Sequence, residues 1–307
     1  MDKIALIFSG QGAQYSGMGQ QLREYSPAAR AVFEIADSLR PDTSRLCFNG
    51  NDEELMQTKN TQPCLFCVDL AAAAALREAG VEADLVAGFS LGELAALTYA
   101  EAMTTEEGFQ LVCRRGELMR KAGEINKSSM AVVLKLQDEV VNCLCNQVDQ
   151  VYPVNYNCPG QVVVSGVPDG LESLKGIVKE AKGKTMPLGV SGGFHCKFMQ
   201  PAAERFRKEL KEYAITSPKL PLYSNVTALP YYNDDPKEML ARQIICPVLW
   251  HKSIENMISA GATTFIEVGP GRVLSNFVSR ISDQVRCCHV EDVESLKQTI
   301  AEVKYSA

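Results

Sequence analysis

Short apolar runs, several of which end at glycine, alternate with longer helical patterns along most of the chain. The first run, residues 4–8, is followed by the sequence SGQG at residues 9–12. A run of this length bounded by turn residues is typical of a buried strand, and strands that alternate with helices form a parallel sheet. Further predicted strands are residues 84–87, 222–225 and 264–268. The alternation therefore predicts an α/β fold with a parallel-sheet core and helices on both faces.

The middle of the chain has a different order of elements. Its pattern is strand, helix, strand, strand, helix, strand, which is the order of a ferredoxin-like unit. The predicted elements are residues 130–136, 137–148, 151–155, 161–165, 170–182 and 185–188. We therefore predict a large α/β core formed by residues 1–121 and 191–307, with a ferredoxin-like small subdomain, residues 122–190, inserted into it.

The charge and hydropathy of the chain limit its partners. The 307 residues include 31 Lys and Arg against 37 Asp and Glu, a net charge of −6, so a broad basic surface for nucleic acid is not expected. No apolar run is long enough to span a bilayer, and the N-terminal run is too short for a signal peptide. These features predict a cytoplasmic protein with neither a nucleic-acid partner nor a membrane partner.

The cysteines do not form a metal-binding pattern. Without a secretion signal, the 11 cysteines are expected to be reduced thiols. Cys64 and Cys67 form a single C-x-x-C pair inside an apolar helical pattern, with no second pair at metal-ligand spacing. We therefore expect them to pack in the core, and we predict no metal site.

The sequence GFSLG at residues 88–92 is the strongest chemical signal in the chain. It places Ser90 between a predicted strand and a helical pattern that resumes at Leu94. This is the context of the sharp turn that carries a nucleophilic serine, because small neighbours let the backbone bend and the hydroxyl stand clear. The pattern predicts that Ser90 is a nucleophile, and the alternative is an incidental glycine-rich turn.

A nucleophilic serine needs a base, and the chain has three histidines. His195 lies in a glycine loop directly after a predicted strand, where active-site residues of α/β proteins collect. His251 lies in a helical pattern, and His289 lies beside two cysteines in an apolar segment. By elimination His195 is the predicted base, and the alternative is a loop histidine that only bonds the backbone. No acidic partner for it can be chosen from the sequence.

Acyl transfer also needs two N–H donors for the oxyanion of its tetrahedral intermediate. Leu91 directly follows Ser90 at a helix N-terminus, so its N–H is one candidate. Gln11 lies in the loop after the first strand, and its N–H is the second candidate. The alternatives for this loop are a plain tight turn and a phosphate loop, but the latter would need Gly-Lys-Ser or Gly-Lys-Thr, which is absent.

Arg114, Arg115 and Gly116 interrupt the apolar helical pattern of residues 105–121. Two arrangements are open from periodicity alone. Either one arginine turns inward, where a guanidinium can bind a carboxylate through two hydrogen bonds, or both arginines are solvated surface residues.

An ordered set of sequence blocks identifies a family. The blocks are FSGQGAQ at residues 8–14, TQP at 61–63, GFSLGE at 88–93, RRGELM at 114–119, NYNCPGQ at 155–161, GFH at 193–195 and EVGPG at 267–271. Together they resemble the malonyl-CoA:acyl-carrier-protein transacylases of bacterial fatty-acid synthesis, and polyketide-synthase acyltransferases share the same blocks. The resemblance covers essentially the whole chain and implies an active site in the cleft between core and subdomain.

The resemblance implies roles for individual residues. Ser90 forms a malonyl ester, His195 is its acid and base, and a backbone carbonyl around Arg242 and Gln243 orients the imidazole. Arg115 rather than Arg114 binds the malonyl carboxylate. Other positions that match the family are Gln11 and Leu91 as oxyanion-hole donors, and Asn157 and Gln62 as substrate-binding residues. The implied partners are malonyl-CoA and phosphopantetheinylated acyl carrier protein, with no cofactor, and the protein is expected to be a monomer.

Two positions depart from the family pattern. Phe89 stands where malonyl-specific members usually have histidine, which places an apolar ring beside the acyl pocket. Cys196 stands where serine is common after the catalytic histidine. The sequence GFH at residues 193–195 is nevertheless similar to the malonyl form of that block.

Three other functions remain compatible with the residues. A serine hydrolase would share the nucleophile turn but would need an acid between serine and histidine and would leave Arg115 without a role. A non-catalytic module that binds carrier protein would not need Ser90, His195 and Arg115 together. A polyketide-type acyltransferase would use the same chemistry on other carrier domains.

Overall fold

The structure, a computed structural model, describes residues 3–190, 192–232 and 234–304. The strands are β1 (Lys3–Phe8), β2 (Leu85–Gly88), β3 (Ser129–Leu134), β4 (Val151–Cys158), β5 (Gln161–Gly166), β6 (Lys184–Pro187), β7 (Leu222–Tyr223), β8 (Ala262–Val268) and β9 (Arg286–Val290). The first seven helices are α1 (Gln20–Tyr25), α2 (Pro27–Leu39), α3 (Thr43–Asn49), α4 (Asp52–Met56), α5 (Thr58–Glu78), α6 (Gly92–Tyr99) and α7 (Thr105–Ile125). The others are α8 (Asp138–Cys145), α9 (Pro168–Glu180), α10 (Gln200–Glu209), α11 (Pro236–Gln243), α12 (Trp250–Ser259), α13 (Val273–Ile281) and α14 (Val293–Lys304).

The larger sheet is parallel and has the strand order β7-β2-β1-β8-β9. Successive side chains of β1 point to opposite faces, so Leu6 and Phe8 pack toward α5, α6 and α7 while Ala5 and Ile7 pack toward α12 and α13. Both faces of the sheet are thus covered by helices. The predicted parallel-sheet α/β fold is confirmed.

The smaller sheet is antiparallel and has the order β4-β5-β3-β6. Helices α8 and α9 cover one face through an apolar cluster that includes Val133, Val141 and Leu174. This is the expected ferredoxin-like unit. Helix α7 runs past residue 122, where the sequence places the start of the subdomain, so the exact division of the chain stays a prediction.

Two helices differ from their prediction. The apolar pattern of residues 64–78 predicts a helix that starts at Cys64, but helix α5 begins six residues earlier, at Thr58, and contains Pro63 in its interior. Helix α7 covers the predicted helical pattern of residues 105–121 and continues to Ile125, without a break at Arg114, Arg115 and Gly116, where the apolar pattern is interrupted. The reason is helix packing: a Cβ atom at Gly116 would lie 2.9 Å from the carbonyl oxygen of Thr58, so glycine is needed where α7 approaches α5.

Across the three described ranges, no helix is long and apolar enough to cross a membrane. The carboxyl ends of β1, β2 and β8 lie side by side, since Phe8 pairs with both Gly88 and Val268. The loops that follow these three strands therefore meet at one edge of the parallel sheet, and the smaller sheet is joined to the core there by a bridge between Asn155 and Val248.

Candidate active site

A tight turn between β2 and α6 presents the Ser90 side chain. Ser90 has a φ of 55°, in the left-handed region that a non-glycine residue rarely adopts. The Asn225 side chain holds the turn, because its Nδ2 donates to the Gly88 carbonyl at 2.7 Å and its Oδ1 accepts from the Ser90 N–H at 2.8 Å. Sequence patterns predict a strand through Asn225, but β7 ends at Tyr223, which frees Asn225 for this role.

We predict that Gly92→Ala destabilises the protein by about 3 kcal/mol or more, because a Cβ atom there would lie 2.5 Å from the backbone oxygens of Phe8 and Ser9. Thermal unfolding measures the effect. The matched control is Gly176→Ala in α9, where an added Cβ meets no atom within 4 Å. That variant is expected to be more stable by about 0.5–1 kcal/mol. Equal melting temperatures for both variants would contradict the close approach at the turn.

His195 lies against the Ser90 hydroxyl. Its Nε2 is 2.8 Å from Ser90 Oγ, and its Nδ1 is 2.8 Å from the carbonyl oxygen of Gln243. A carbonyl can only accept, so Nδ1 carries the proton and the Nε2 lone pair faces the hydroxyl. Burial, with a contribution from the charge of Arg115, lowers the pKa of His195 to about 4, so the imidazole is neutral near pH 7.

The Gln243 carbonyl is available because it lies in the last turn of α11, where carbonyl groups have no partner within the helix. The same position places the negative end of the helix dipole at the imidazole. On the other side, the His195 loop is held by the small subdomain, since Ser165 Oγ donates to the carbonyl of Phe194 at 2.9 Å. The His195 loop is thus held by the core through Gln243 and by the small subdomain through Ser165.

Arg115 is buried beside Ser90, with 1% of its surface exposed. Its guanidinium donates to Ser90 Oγ at 3.1 Å, to Gln243 Oε1 at 2.8 Å and to Gln62 Oε1 at 2.8 Å. Burial lowers its pKa to about 10, yet it remains charged near neutral pH. Arg114 instead points outward and pairs with Glu209 at 2.8 Å. Of the two arrangements left open by periodicity, the structure has the one with an inward-facing arginine.

The charge on Arg115 has no acidic hydrogen-bond partner among the described residues, and it forms no ion pair there. Its Nε atom is buried and unpaired. A buried guanidinium surrounded by neutral oxygens is costly unless an anion completes it. The site therefore suits a substrate with a carboxylate within reach of Ser90.

Sequence reasoning missed a buried carboxylate, Glu93, one turn along α6 from the serine. It is fully buried, accepts a hydrogen bond from Gln243 Nε2 at 2.7 Å and accepts another from the hydroxyl of Tyr231. Burial raises its pKa to about 7. Glu93 stands in a motif that the sequence singles out, but no pattern indicates that its side chain points into the site.

A cavity at the cleft brings together most of the predicted residues. It is lined by Ser90 and His195 together with both expected oxyanion donors, Gln11 and Leu91, and by Gln62. Asn157 does not line this cavity. It lines an adjoining cavity that shares Gln11, Phe89, Asn155 and Leu188 with the first. Within the described ranges, no cluster of His, Cys, Asp and Glu could hold a metal ion.

The adjoining cavity has two unusual features. The Oδ1 atoms of Asn155 and Asn157 are buried and unpaired there. Phe89 forms part of its wall, and its ring packs on Trp250 with centroids 5.4 Å apart and on Phe277 with centroids 6.4 Å apart. The apolar residue at position 89 is thus part of the aromatic packing behind the serine.

These features define an α/β protein with a serine–histidine pair and a buried arginine, and comparison with known proteins gives its family. The model of the acyl transferase domain matches residues 5–300. This chain belongs to the acyl transferase family, and it is an acyltransferase.

Its relatives are similar over their full length. A curated protein of Bacillus subtilis strain 168, named malonyl CoA-acyl carrier protein transacylase, is 39% identical, with 99% of this chain and 98% of that protein covered. The crystal structure of the protein of that name from Clostridium perfringens ATCC 13124 has a TM-score of 0.96 at 36% identity, covering 99% of this chain and 98% of the other. A malonyl-transacylase in complex with a type II polyketide-synthase acyl-carrier protein has a TM-score of 0.92 at 32% identity, covering 98% and 100%. The resemblance that the sequence blocks indicate is confirmed.

Proposed function

We propose that this enzyme transfers a malonyl group from malonyl-CoA to the phosphopantetheine thiol of acyl carrier protein, through a malonyl ester of Ser90. The observation that carries the proposal is the buried guanidinium of Arg115, 3.1 Å from the Ser90 hydroxyl and without an acidic partner among the described residues. The names of the similar proteins support the same substrates. The enzyme acts in the cytoplasm as a monomer, without a cofactor, and supplies fatty-acid synthesis.

The first half of the reaction acylates Ser90. His195 Nε2 takes the hydroxyl proton while Ser90 Oγ attacks the thioester carbonyl carbon, and the carbonyl oxygen becomes an oxyanion. The N–H groups of Gln11 and Leu91 stabilise that oxyanion. When the intermediate collapses, the C–S bond breaks, the imidazolium returns its proton to the sulfur, and free CoA leaves a malonyl ester.

The second half runs the same steps with a different thiol. The phosphopantetheine thiol gives its proton to His195 and attacks the ester, and Ser90 recovers its proton as the C–O bond breaks. His195 can perform both roles because it is neutral before each attack, which its lowered pKa ensures. The Gln243 carbonyl, hydrogen-bonded to Nδ1 at 2.8 Å, stabilises the imidazolium that forms in each half-reaction.

Arg115 selects the acyl group. Its guanidinium leaves the Ser90 hydroxyl and pairs with the free carboxylate of the malonyl group, so it gains a directly hydrogen-bonded anion when the substrate binds. The pairing also aligns the thioester carbonyl with the nucleophile. Gln62 and Gln243 keep the guanidinium in plane through their side-chain oxygens.

The pantetheine arm passes through the adjoining cavity. The pantetheine arm is present both in malonyl-CoA, which gives the malonyl group, and in acyl carrier protein, which receives it. The arm has two amide N–H groups. The unpaired oxygens of Asn155 and Asn157 are suitable acceptors for them. Its position in the adjoining cavity supports a substrate-binding role for Asn157, although Asn157 does not line the Ser90 cavity.

A second function with the same chemistry is the loading of polyketide carrier domains. It is favoured by the likeness to a malonyl-transacylase that is solved with a polyketide-synthase carrier protein. Transfer rates to purified fatty-acid and polyketide carrier proteins distinguish the two roles.

The test of the proposal is a competition. The protein is mixed with equal amounts of malonyl-CoA, methylmalonyl-CoA and acetyl-CoA, and the adduct is identified by intact-protein mass spectrometry and peptide mapping. We expect a single malonyl adduct on Ser90 that acyl carrier protein removes. A branched or mixed adduct would contradict malonyl selectivity, and CoA release without an adduct would indicate hydrolysis.

A further inference from the structure

Gln243 makes four hydrogen bonds that join the parts of the site. Its backbone oxygen accepts from His195 Nδ1 at 2.8 Å, and its side-chain Oε1 accepts from Arg115 at 2.8 Å. Its Nε2 donates to the Ser90 carbonyl at 2.7 Å and to Glu93 Oε2 at 2.7 Å. The position of this one residue therefore affects the base through its backbone carbonyl, and the nucleophile turn and the arginine through its side-chain amide.

The two possible orientations of the Gln243 side-chain amide, related by exchange of its oxygen and nitrogen, are not equivalent. In the observed orientation, the oxygen faces the Arg115 guanidinium and the nitrogen faces two acceptors. A flipped amide would place its NH2 group against the guanidinium and its oxygen against the Ser90 carbonyl and the Glu93 carboxylate. An ionised Glu93 has no proton to donate and excludes the flipped state. A protonated Glu93 is a weaker acceptor for the Gln243 NH2 group and can offer an O–H to the amide oxygen, so it holds the observed orientation less firmly.

Glu93 is itself held firmly in place. It is fully buried, and its two oxygens accept from the Tyr231 hydroxyl, from the Asn225 N–H at 3.2 Å and from Gln243. The charged or titratable groups that face it are Tyr231 on the segment after β7 and Arg115 on α7. Burying an ionised carboxylate costs free energy unless an opposite charge offsets the lost hydration. The Arg115 guanidinium, on the far side of the Gln243 amide, carries that opposite charge.

We propose that Glu93 is a positioning residue for the acyl transfer, one that acts through Gln243. Its carboxylate fixes the amide orientation that keeps Arg115 turned toward Ser90 and holds the Ser90 turn through the Gln243 Nε2 bond. Glu93 does not touch the substrate. The inference rests on the proposed function for the reaction it serves.

The proposal predicts a pH dependence. Burial raises the pKa of Glu93 to about 7, while the pKa of His195 is lowered to about 4. Above pH 7 Glu93 is ionised and accepts a strong hydrogen bond from the Gln243 amide; below pH 7, protonation weakens that hydrogen bond and the amide is held less firmly. The rate of Ser90 acylation by malonyl-CoA should therefore fall between about pH 8 and pH 5.5 in the unmodified enzyme, before His195 begins to titrate.

The test measures kcat/KM for malonyl-CoA from pH 5.5 to 8.5 in the unmodified enzyme and in Glu93→Gln. The variant cannot ionise, so we expect about a tenfold or greater loss at pH 8 and a nearly flat profile that meets the unmodified enzyme at low pH. Retention of the full rate at pH 8 would overturn the proposal. A loss by the same factor at every pH would also overturn it, because that is the result of a merely structural role.

Tyr231→Phe provides a second variant. It removes a hydrogen bond that favours the ionised carboxylate, so the pKa of Glu93 should rise and the fall in rate should move to higher pH. An unchanged profile would contradict the proposal. Glu238→Gln is the control, since Glu238 lies on the same helix as Gln243 but pairs with Arg207 at the surface; its profile should match that of the unmodified enzyme.

Folding can be separated from positioning. Because the folded-state pKa of Glu93 is raised from 4.5 to about 7, this group lowers the free energy of unfolding as the pH rises through that interval. Glu93→Gln removes that effect, so its melting temperature at pH 8 should be no lower than that of the unmodified enzyme.

A fluorophosphonate probe of Ser90 distinguishes failure of the inference from failure of the proposed function. Labelling by the probe needs the turn and His195 but no malonyl recognition. If the unmodified enzyme does not accept malonyl-CoA, the proposed function fails, and the pH profiles of labelling still decide the role of Glu93. We expect the rate of labelling to fall below pH 8 in the unmodified enzyme and to stay constant in Glu93→Gln. Identical pH profiles of labelling in the two proteins would overturn the inference.

Discussion

Replacement of Ser90 by alanine is expected to abolish the covalent malonyl adduct and to reduce transfer to acyl carrier protein at least about a thousandfold. The Ser90 hydroxyl lies 2.8 Å from His195 Nε2, so its removal takes away the nucleophile that the base activates. The measurement is intact-protein mass spectrometry after incubation with malonyl-CoA, followed by a transfer assay. A trapped adduct on this variant would refute the assignment of Ser90.

The neighbouring thiol supplies the control for this experiment. Cys196 adjoins His195 in the sequence, but it is buried, its thiol faces the Gly193 carbonyl at 3.6 Å, and burial raises its pKa to about 11. A thiol in this state is a poor nucleophile. Cys196→Ser should therefore form the same adduct on Ser90 as the unmodified enzyme.

Replacement of Arg115 by alanine is expected to reduce kcat/KM for malonyl-CoA about 30-fold to about 4000-fold more than kcat/KM for acetyl-CoA. The substitution leaves the malonyl carboxylate without its charged partner in a buried site, and loss of one member of such a pair costs about 2–5 kcal/mol. Acetyl-CoA has no carboxylate and loses only the indirect support that Arg115 provides to Gln62 and Gln243. The ratio of the two losses is therefore the informative quantity.

Two further variants sharpen the arginine experiment. Arg115→Lys keeps the charge but lacks the planar fork, so we expect it to recover only part of the selectivity. Arg114→Ala removes the adjacent arginine, which pairs with Glu209 on the surface, and it should leave the selectivity unchanged. Equal losses on both acyl-CoA substrates in Arg115→Ala would contradict carboxylate binding by this residue.

Some features of the site lay beyond any sequence pattern. The residue whose carbonyl faces His195 is 48 positions away, and Glu93 and Tyr231, which share a hydrogen bond, are 138 positions apart. Periodicity reports only which neighbours along a helix or strand share a face. It cannot show that the end of α11 supplies a free carbonyl to the His195 loop, or which of two adjacent arginines points inward.

The C-terminal elements show a similar limit on the fold. The helix α13, the edge strand β9 and the helix α14 are not among the elements that the patterns predict. Strand β9 joins the sheet by pairing with β8, from Thr264 opposite Arg286 to Val268 opposite Val290, and its own sequence is broken by cysteines and a histidine. Residues 286–290 therefore form a strand because they pair with β8, and not because of their own strand propensity.

The sequence by itself determined the alternation of strands and helices, the ferredoxin-like unit and the turn at Ser90, because these depend on residues close together in the chain. The spacing of apolar residues, the glycines at close approaches and the composition of turns are local properties. They can be read from the sequence without knowing which residues pack together in the fold. The resemblance implied a carbonyl partner for His195, but no local pattern did, and the tertiary structure supplied the contact. The tertiary structure alone decided that Arg115 is buried without an acidic hydrogen-bond partner among the described residues, and that Glu93 is connected to both His195 and Arg115 through Gln243. Those outcomes depend on which loops meet at the carboxyl edge of the parallel sheet and on the desolvation that follows, and neither is written in local spacing.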